Sequence, residues 1–247
     1  MWTAYNHPAT CKCPCIMGAL MYIKLMSETN GSSPHERIIN KPEHRFTPDE
    51  WGEFRKLNYD TVNLDGENIE ELLRKYRGLM LNSLDPNNPR YERNLKMAGH
   101  RTQVAIPDDL RKAIIEGNVA RQGADSAAVQ KEIEKINGWL KKKGAPGHAI
   151  IGSSADYVKL YFDILMRRGE FIIPPDHSVI TTDIVGELEE GVGVVVARHR
   201  NRGDVHVGFC SNPPDHLGGA CIIPLIVPDS FPRYEQKAGP HNHTPLH

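Results

Sequence analysis

The chain has 247 residues, 39% hydrophobic and 25% charged, enough to bury a core, and it holds no apolar run near the ~20 residues that a membrane-spanning helix requires. Lys and Arg number 30 against 31 Asp and Glu, so the net charge of -1 excludes a global bias toward nucleic acid or anionic membranes. Five cysteines, an odd number split between the two ends, do not form the dense even framework of a secreted disulfide scaffold, and a soluble protein of the reducing cytoplasm is expected.

Residues 1–45 differ in character from the rest of the chain and read as a disordered or extraneous segment. "CIMGALMYIKL" is apolar for about ten residues, but no Lys or Arg precedes it between Met1 and Thr10, and Lys24 interrupts it, unlike a secretory signal. Met17, Met21 and Met26 are alternative starts to Met1, and "SETNGSSP" after Met26 has the polarity of a disordered N-terminus. "CKCPC" places Cys11, Cys13 and Cys15 within reach of a soft metal, without the spacing or the second pair of a structural zinc site.

From 46 to 168 the signals are mostly helical. Thr47 caps a helix with Pro48 at its first position and Asp49 and Glu50 at its positive end, predicted to run to about Lys56. A second helix is predicted across "GENIEELLRKYRGLMLNSL", where Ile69, Leu72, Leu73, Tyr76 and Leu79 or Met80 share a stripe, until "DPNNP" stops it. Gln103 to Ile106 reads as a short strand. One helix then opens at Pro107 and closes at Gly123, and another is capped by Asp125 or Ser126 and ends in three lysines before Gly144. "SSADYVKLYFDILMRRGE" is a further amphipathic helix, with Tyr157, Leu160, Tyr161, Ile164 and Leu165 inward and Arg167 and Arg168 at its negative end.

From 169 to 234 the chain turns to short β-rich runs: "FIIPP", "SVITTDIV", "GVGVVVARH", "DVHVGFC" and "ACIIPLIVP". Pro224, lacking an N–H, places the last run at a sheet edge or bulge. The tail 235–247, with His241, His243 and His247, reads as flexible. Helices followed by strands give an α+β fold: a helical N-terminal half packed on a small, mostly antiparallel C-terminal sheet or partly open barrel.

The richest stretch is "GVGVVVARHRNRGDVHVGFC". With an even-length loop at its tip, His199 lies across from Asp204 and Ala197 from His206, and alternation separates two faces. Val194, Val196, Val205, Val207 and Phe209 make a core face, with Val192 and Arg198 at its ends; His199, Asp204, His206 and Cys210 share the other. A three-residue loop with a bulge at Gly203 would mix these sets. At a cross-strand Cβ separation of roughly 4.5 to 5.5 Å, Asp204 can accept the Nδ1 proton of His199 and make it a general base.

His206 would be a second acid/base group. His199, His206 and His216 together would form a partial site for one divalent metal ion. Arg198, Arg200 and Arg202 can hold an anionic group, and Gly218 and Gly219 can offer N–H groups to it. The structural alternatives are an exposed ion pair beside a turn, and buried free thiols at Cys210 and Cys221; Cys210 as a nucleophile paired with His206 is the remaining chemical option.

Between Arg101 and Lys143 the order of strand, Pro-Asp-Asp-Leu helix start, glycine-containing turn and Ser-capped helix resembles the ribbon-helix-helix family of DNA-binding dimers. The resemblance implies that Arg101, Gln103 and Ala105 face a major groove, Val104 and Ile106 face the core, and Ser126 lies near a phosphate. From Arg90 to Lys143 the sequence carries 12 Lys and Arg against 7 Asp and Glu, a local excess that suits DNA and solvated helix faces alike. The leading expectation is a cytosolic acid/base or metal-assisted enzyme, a hydrolase or lyase, acting on a small anionic substrate through the hairpin. The alternatives are a DNA-binding regulator that dimerises through the strand and a non-catalytic assembly protein.

Overall fold

The computed structural model describes residues 42–56, 59–82, 95–108, 111, 126–173, 177–185, 192–198, 204–210 and 220–233. Helix α1, Pro48–Lys56, begins as its sequence predicts: the Thr47 and Glu50 side chains each accept the other's backbone N–H, closing a capping box. Strand β1, Tyr59–Asp65, comes next. Its alternation buries Asp60, Val62 and Leu64 and turns Thr61 and Asn63 outward.

Helix α2 is much shorter than the predicted 66–84, spanning only Ile69–Lys75. A capping box of Asn68 and Glu71 starts it, and a turn through Gly78 at φ +85° ends it. The chain beyond joins strand β2, Met80–Asn82, which pairs in parallel with a strand from the predicted hairpin. Of the stripe, Ile69, Leu72, Tyr76 and Met80 are buried, the last from a strand, while Leu73 and Leu79 are half-buried.

Strand β3, Arg101–Pro107, is longer than the predicted Gln103–Ile106. Of the helix predicted from Pro107, Pro107 itself ends the strand instead, and the other described residues, Asp108 and Arg111, are helical. Helix α3, Ser126–Lys143, ends on its three lysines at Gly144, whose φ of +63° suits a residue without a Cβ. Strand β4, His148–Ile150, precedes helix α4, Ser154–Arg168. The β-rich region supplies β5, Ser178–Val185; β6, Val192–Arg198; β7, Val205–Cys210; β8, Ala220–Cys221; and β9, Leu225–Val227. "FIIPP" forms no strand among its described residues, Phe171 to Ile173.

The fold is α+β, with two sheets that remain open among the described residues. One is antiparallel in the order β1-β3-β9-β4; the other, β2-β7-β6-β5-β8, is antiparallel at its centre and parallel at both edges. The N-terminal half thus carries the helices and also supplies strands β1 to β4. The run "ACIIPLIVP" is divided between the sheets: β8 is an edge of the second, and β9 lies inside the first. Pro224 falls in the link between them, where no ladder N–H is needed.

Helix α4 lies against both sheets, touching β1, β5 and β6 as well as α2. Its first half is buried almost all round, from Ser154 to Val158, while its last turn is exposed. Tyr76 of the α2 end stacks on Phe162 at 3.9 Å, and Tyr161 packs on Phe171. At the exposed end, Asp60 of β1 accepts from Arg168 and pairs with buried Arg111, which also meets Asp108 and Glu170. Among the described residues no helix is long and apolar enough to cross a membrane.

Candidate functional site

The start of α4 concentrates polar side chains that the fold has otherwise dried out. Ser153, extended at φ -74° and ψ 169°, is the N-cap, and its hydroxyl accepts the Asp156 N–H while the Asp156 carboxylate accepts the Ser153 N–H at 2.8 Å. The same carboxylate reaches outward to the residue before β3. Its Oδ1 accepts the backbone N–H of His100 at 2.7 Å, and its Oδ2 lies 2.5 Å from His100 Nδ1.

Two glycines permit this approach. A Cβ on Gly99 would stand 2.7 Å from Asp156 Oδ1, and one on Gly152 would stand 2.6 Å from Leu225 Cδ1. The Asp156 side chain is fully buried, whereas that of His100 is 25% exposed. A carboxylate accepting at Nδ1 fixes the imidazole tautomer and leaves Nε2 as the basic nitrogen. Burial alone would pull the His100 pKa down, but the hydrogen bond and charge of Asp156, with Asp183 behind it, outweigh burial and raise it.

Asp183 arrives through an irregularity in β5. Ile180 pairs with Val195 and Ile184 with Gly193, so Thr181, Thr182 and Asp183 oppose Val194 alone. Released from the ladder, Thr182 donates its N–H to Gly152 O at 2.9 Å, and Asp183 accepts both the N–H and the hydroxyl of Ser154, at 2.6 and 2.5 Å. Burial raises the Asp183 pKa and the neighbouring Asp156 charge adds to the rise, against the two Ser154 bonds and His100. Tyr157 locks the corner, accepting the Gly152 N–H and donating to Ile223 O in the link between the sheets.

Beside Gly99 and Asp156 runs a shallow notch too narrow to admit a water molecule, with Lys159 on one wall. Lys159 bridges Asp65 and Glu67 at 3.0 and 3.2 Å; burial opposes its charge, but these partners raise its pKa. On the other side of the dyad, Phe231 meets the rings of His100 and His44 edge-on at 5.3 and 5.2 Å, with His148 at 6.4 Å. Among the described residues, no group of three or more His, Cys, Asp or Glu side chains stands within reach of a single metal ion.

The predicted hairpin has the even-loop register. Ala197 faces His206 and Arg198 faces Val205, and Val196, Val205 and Val207 are buried on one face. His199, Arg200, Arg202, His216, Gly218 and Gly219 lie outside the described residues, as do "CKCPC", His241, His243 and His247. Asp204 and His206 are both half-buried. Arg198 is occupied within the fold: its guanidinium lies 4.0 Å over the Phe171 ring and donates to Ile173 O. The Ala197 end of β6 pairs with Ser178 of β5, five residues and about 17 Å from Asp183 at a rise of ~3.3 Å per residue.

For the DNA-facing residues, exposed Arg101 pairs with Glu43, and Gln103 accepts the Phe46 N–H and donates to Asn63. Val104 and Ile106 are buried, but so is Ala105 between them, and β3 already has β1 on one side and β9 on the other. Ser126 opens α3. The His100–Asp156 pair escaped sequence reading because 56 residues separate its members. The one local trace was the capping-box spacing of Ser153 and Asp156. Comparison of the chain with protein-family models, curated proteins and solved structures finds no match.

Proposed function

We propose that this protein is an enzyme of acid/base type, a hydrolase or lyase, in which His100 oriented by Asp156 is the general base. The observation that carries the reading is a fully buried carboxylate holding both the backbone N–H and Nδ1 of a histidine whose ring remains partly exposed. The same carboxylate closes the helix cap, but capping alone does not need its approach to the His100 ring past Gly99. Asp183, with its raised pKa, is the matching candidate for the acid, since it lies close enough for its charge to act on His100.

The test uses p-nitrophenyl acetate as a generic probe of a basic imidazole. Turnover should rise with pH through a single ionisation above the ordinary histidine value and fall at least tenfold in both His100→Gln and Asp156→Asn. Unchanged turnover in His100→Gln would remove the reading.

A second reading keeps the chemistry on the hairpin, with His199 as base, Asp204 as its orienting carboxylate and His206 nearby. The cross-strand register of Ala197 with His206 favours it. His199→Ala would then abolish turnover of a small anionic substrate while His100→Gln leaves it intact.

A further inference from the structure

We infer that residues 228–233 form a movable strap over the His100–Asp156 dyad, with Phe231 as its plug. The inference rests on the proposed role of that dyad and adds how access to it is controlled. Between Asp229 and Arg233 only Phe231 is buried, at 4% exposure; Asp229, Ser230, Pro232 and Arg233 all face outward. The strap folds on itself, Phe231 N–H donating to Pro228 O across a tight turn, with Asp229 and Arg233 3.7 Å apart on its outer side. It comes after β9, so lifting it breaks none of the strand pairings of the first sheet. Pro228 is buried at its base, and beyond it the Phe231 ring, wedged among three imidazoles, is the side chain that the strap turns inward.

A second observation is a polar group that the described residues leave unserved in the closed arrangement. His148 is 7% exposed, and neither ring nitrogen has a hydrogen-bond partner among the described residues. Its nearest carboxylate, Asp229 on the strap itself, stands 4.0 Å away. A buried imidazole without a partner is unfavourable, and water entering under a lifted strap would satisfy it. Closure thus gains the apolar contacts of Phe231 and loses hydration at His148. Opposed contributions of this kind allow a surface segment to open locally without the sheet unfolding.

Access is measured with diethylpyrocarbonate, which carbethoxylates exposed neutral imidazoles, read per histidine by peptide mass spectrometry on the full chain. In Phe231→Ala, His100 and His148 should react at least tenfold faster while His177, beside β5, reacts unchanged. Rates within twofold of the unaltered protein would overturn the strap. Hydrogen exchange on the unaltered protein gives an answer that does not depend on a variant folding: the Phe231 amide should exchange at least 100-fold faster than the Ile226 amide in β9, and equal protection would overturn the proposal. Failure of the dyad reads out elsewhere, as ester turnover that survives His100→Gln, so the two outcomes remain distinguishable.

Discussion

At the scale of single residues, two histidines around Phe231 titrate in opposite senses. His100 is raised by Asp156 and Asp183 against its burial; the stability it contributes is fully present below about pH 6.5 and is lost as pH rises through its folded pKa. His148 is lowered, chiefly by burial and then by Arg233, with Asp229 opposing. Its neutral form suits the fold, so stability falls as pH drops below the unfolded value and the unfolded chain takes up the proton first. Thermal melts from pH 8 to pH 5 should therefore separate the two. His148→Gln should lose less melting temperature on acidification than the unaltered protein, and His100→Gln should lose more; identical slopes would contradict both assignments. Neither histidine stood out in the sequence, because what distinguishes them is which carboxylate or ring a distant segment brings alongside.

Asp60 presents the same lesson in a structural role. Its buried carboxylate receives Arg168 from the end of α4 and buried Arg111 from the segment after β3. Removing one partner from a buried ion pair costs up to about 3 to 5 kcal/mol when the other charge is left unpaired. Here Asp108 and Glu170 still meet Arg111, so the loss is a fraction of that. Asp60→Ala should accordingly lower the urea midpoint by more than Asp163→Ala, whose partner Arg167 is well exposed. Equal midpoints for the two variants would show that the Asp60 network contributes no more than a surface pair.

At the scale of elements, capped helices and valine-rich strands were legible, whereas the polar strand β1 and the three-residue strands were not. Helices α1, α3 and α4 announce themselves through caps, terminal charges and glycine stops, and the β5–β6–β7 meander through valine-rich alternation with turns at fixed spacing. Strands β2 and β4 have three residues each, and their partners lie in β7 and β9, about 125 and 80 positions further along. No local pattern can encode such pairings. The predicted second helix failed for the same reason: its apolar stripe was real, but tertiary pairing with β7 overrode helical continuation after Gly78.

The α4 cap is the element on which site and fold meet, so its disruption should be felt in both. Ser153→Ala removes only the hydroxyl that accepts the Asp156 N–H, an effect of about 0.5 to 2 kcal/mol. Gly99→Ala instead drives a methyl group toward Asp156 Oδ1 and should displace the His100 contact. Nuclear magnetic resonance titration should then find the His100 pKa shifted back toward the ordinary value in Gly99→Ala and nearly unmoved in Ser153→Ala. A reversed order would mean that the cap, and not the close backbone approach, sets the dyad.

At the scale of the whole molecule, the sequence suggested a helical half and a β half, whereas the chain crosses from one sheet to the other within a short link. Cys221 ends β8 at the edge of the second sheet, Tyr157 anchors the link at Ile223, and Leu225 enters β9 inside the first. Helix α4 packs on both sheets at once. These connections lead us to expect that the two sheets unfold as one cooperative unit. Ile226 in β9 is fully buried, and truncating such a side chain to Ala typically costs about 2 to 5 kcal/mol. If the sheets unfold together, Ile226→Ala should accelerate exchange of the most protected amides in β3 and in β6 by the same factor, since both exchange only through global unfolding. Acceleration confined to β3 and its neighbours would show two independently stable sheets joined by a hinge at Pro224.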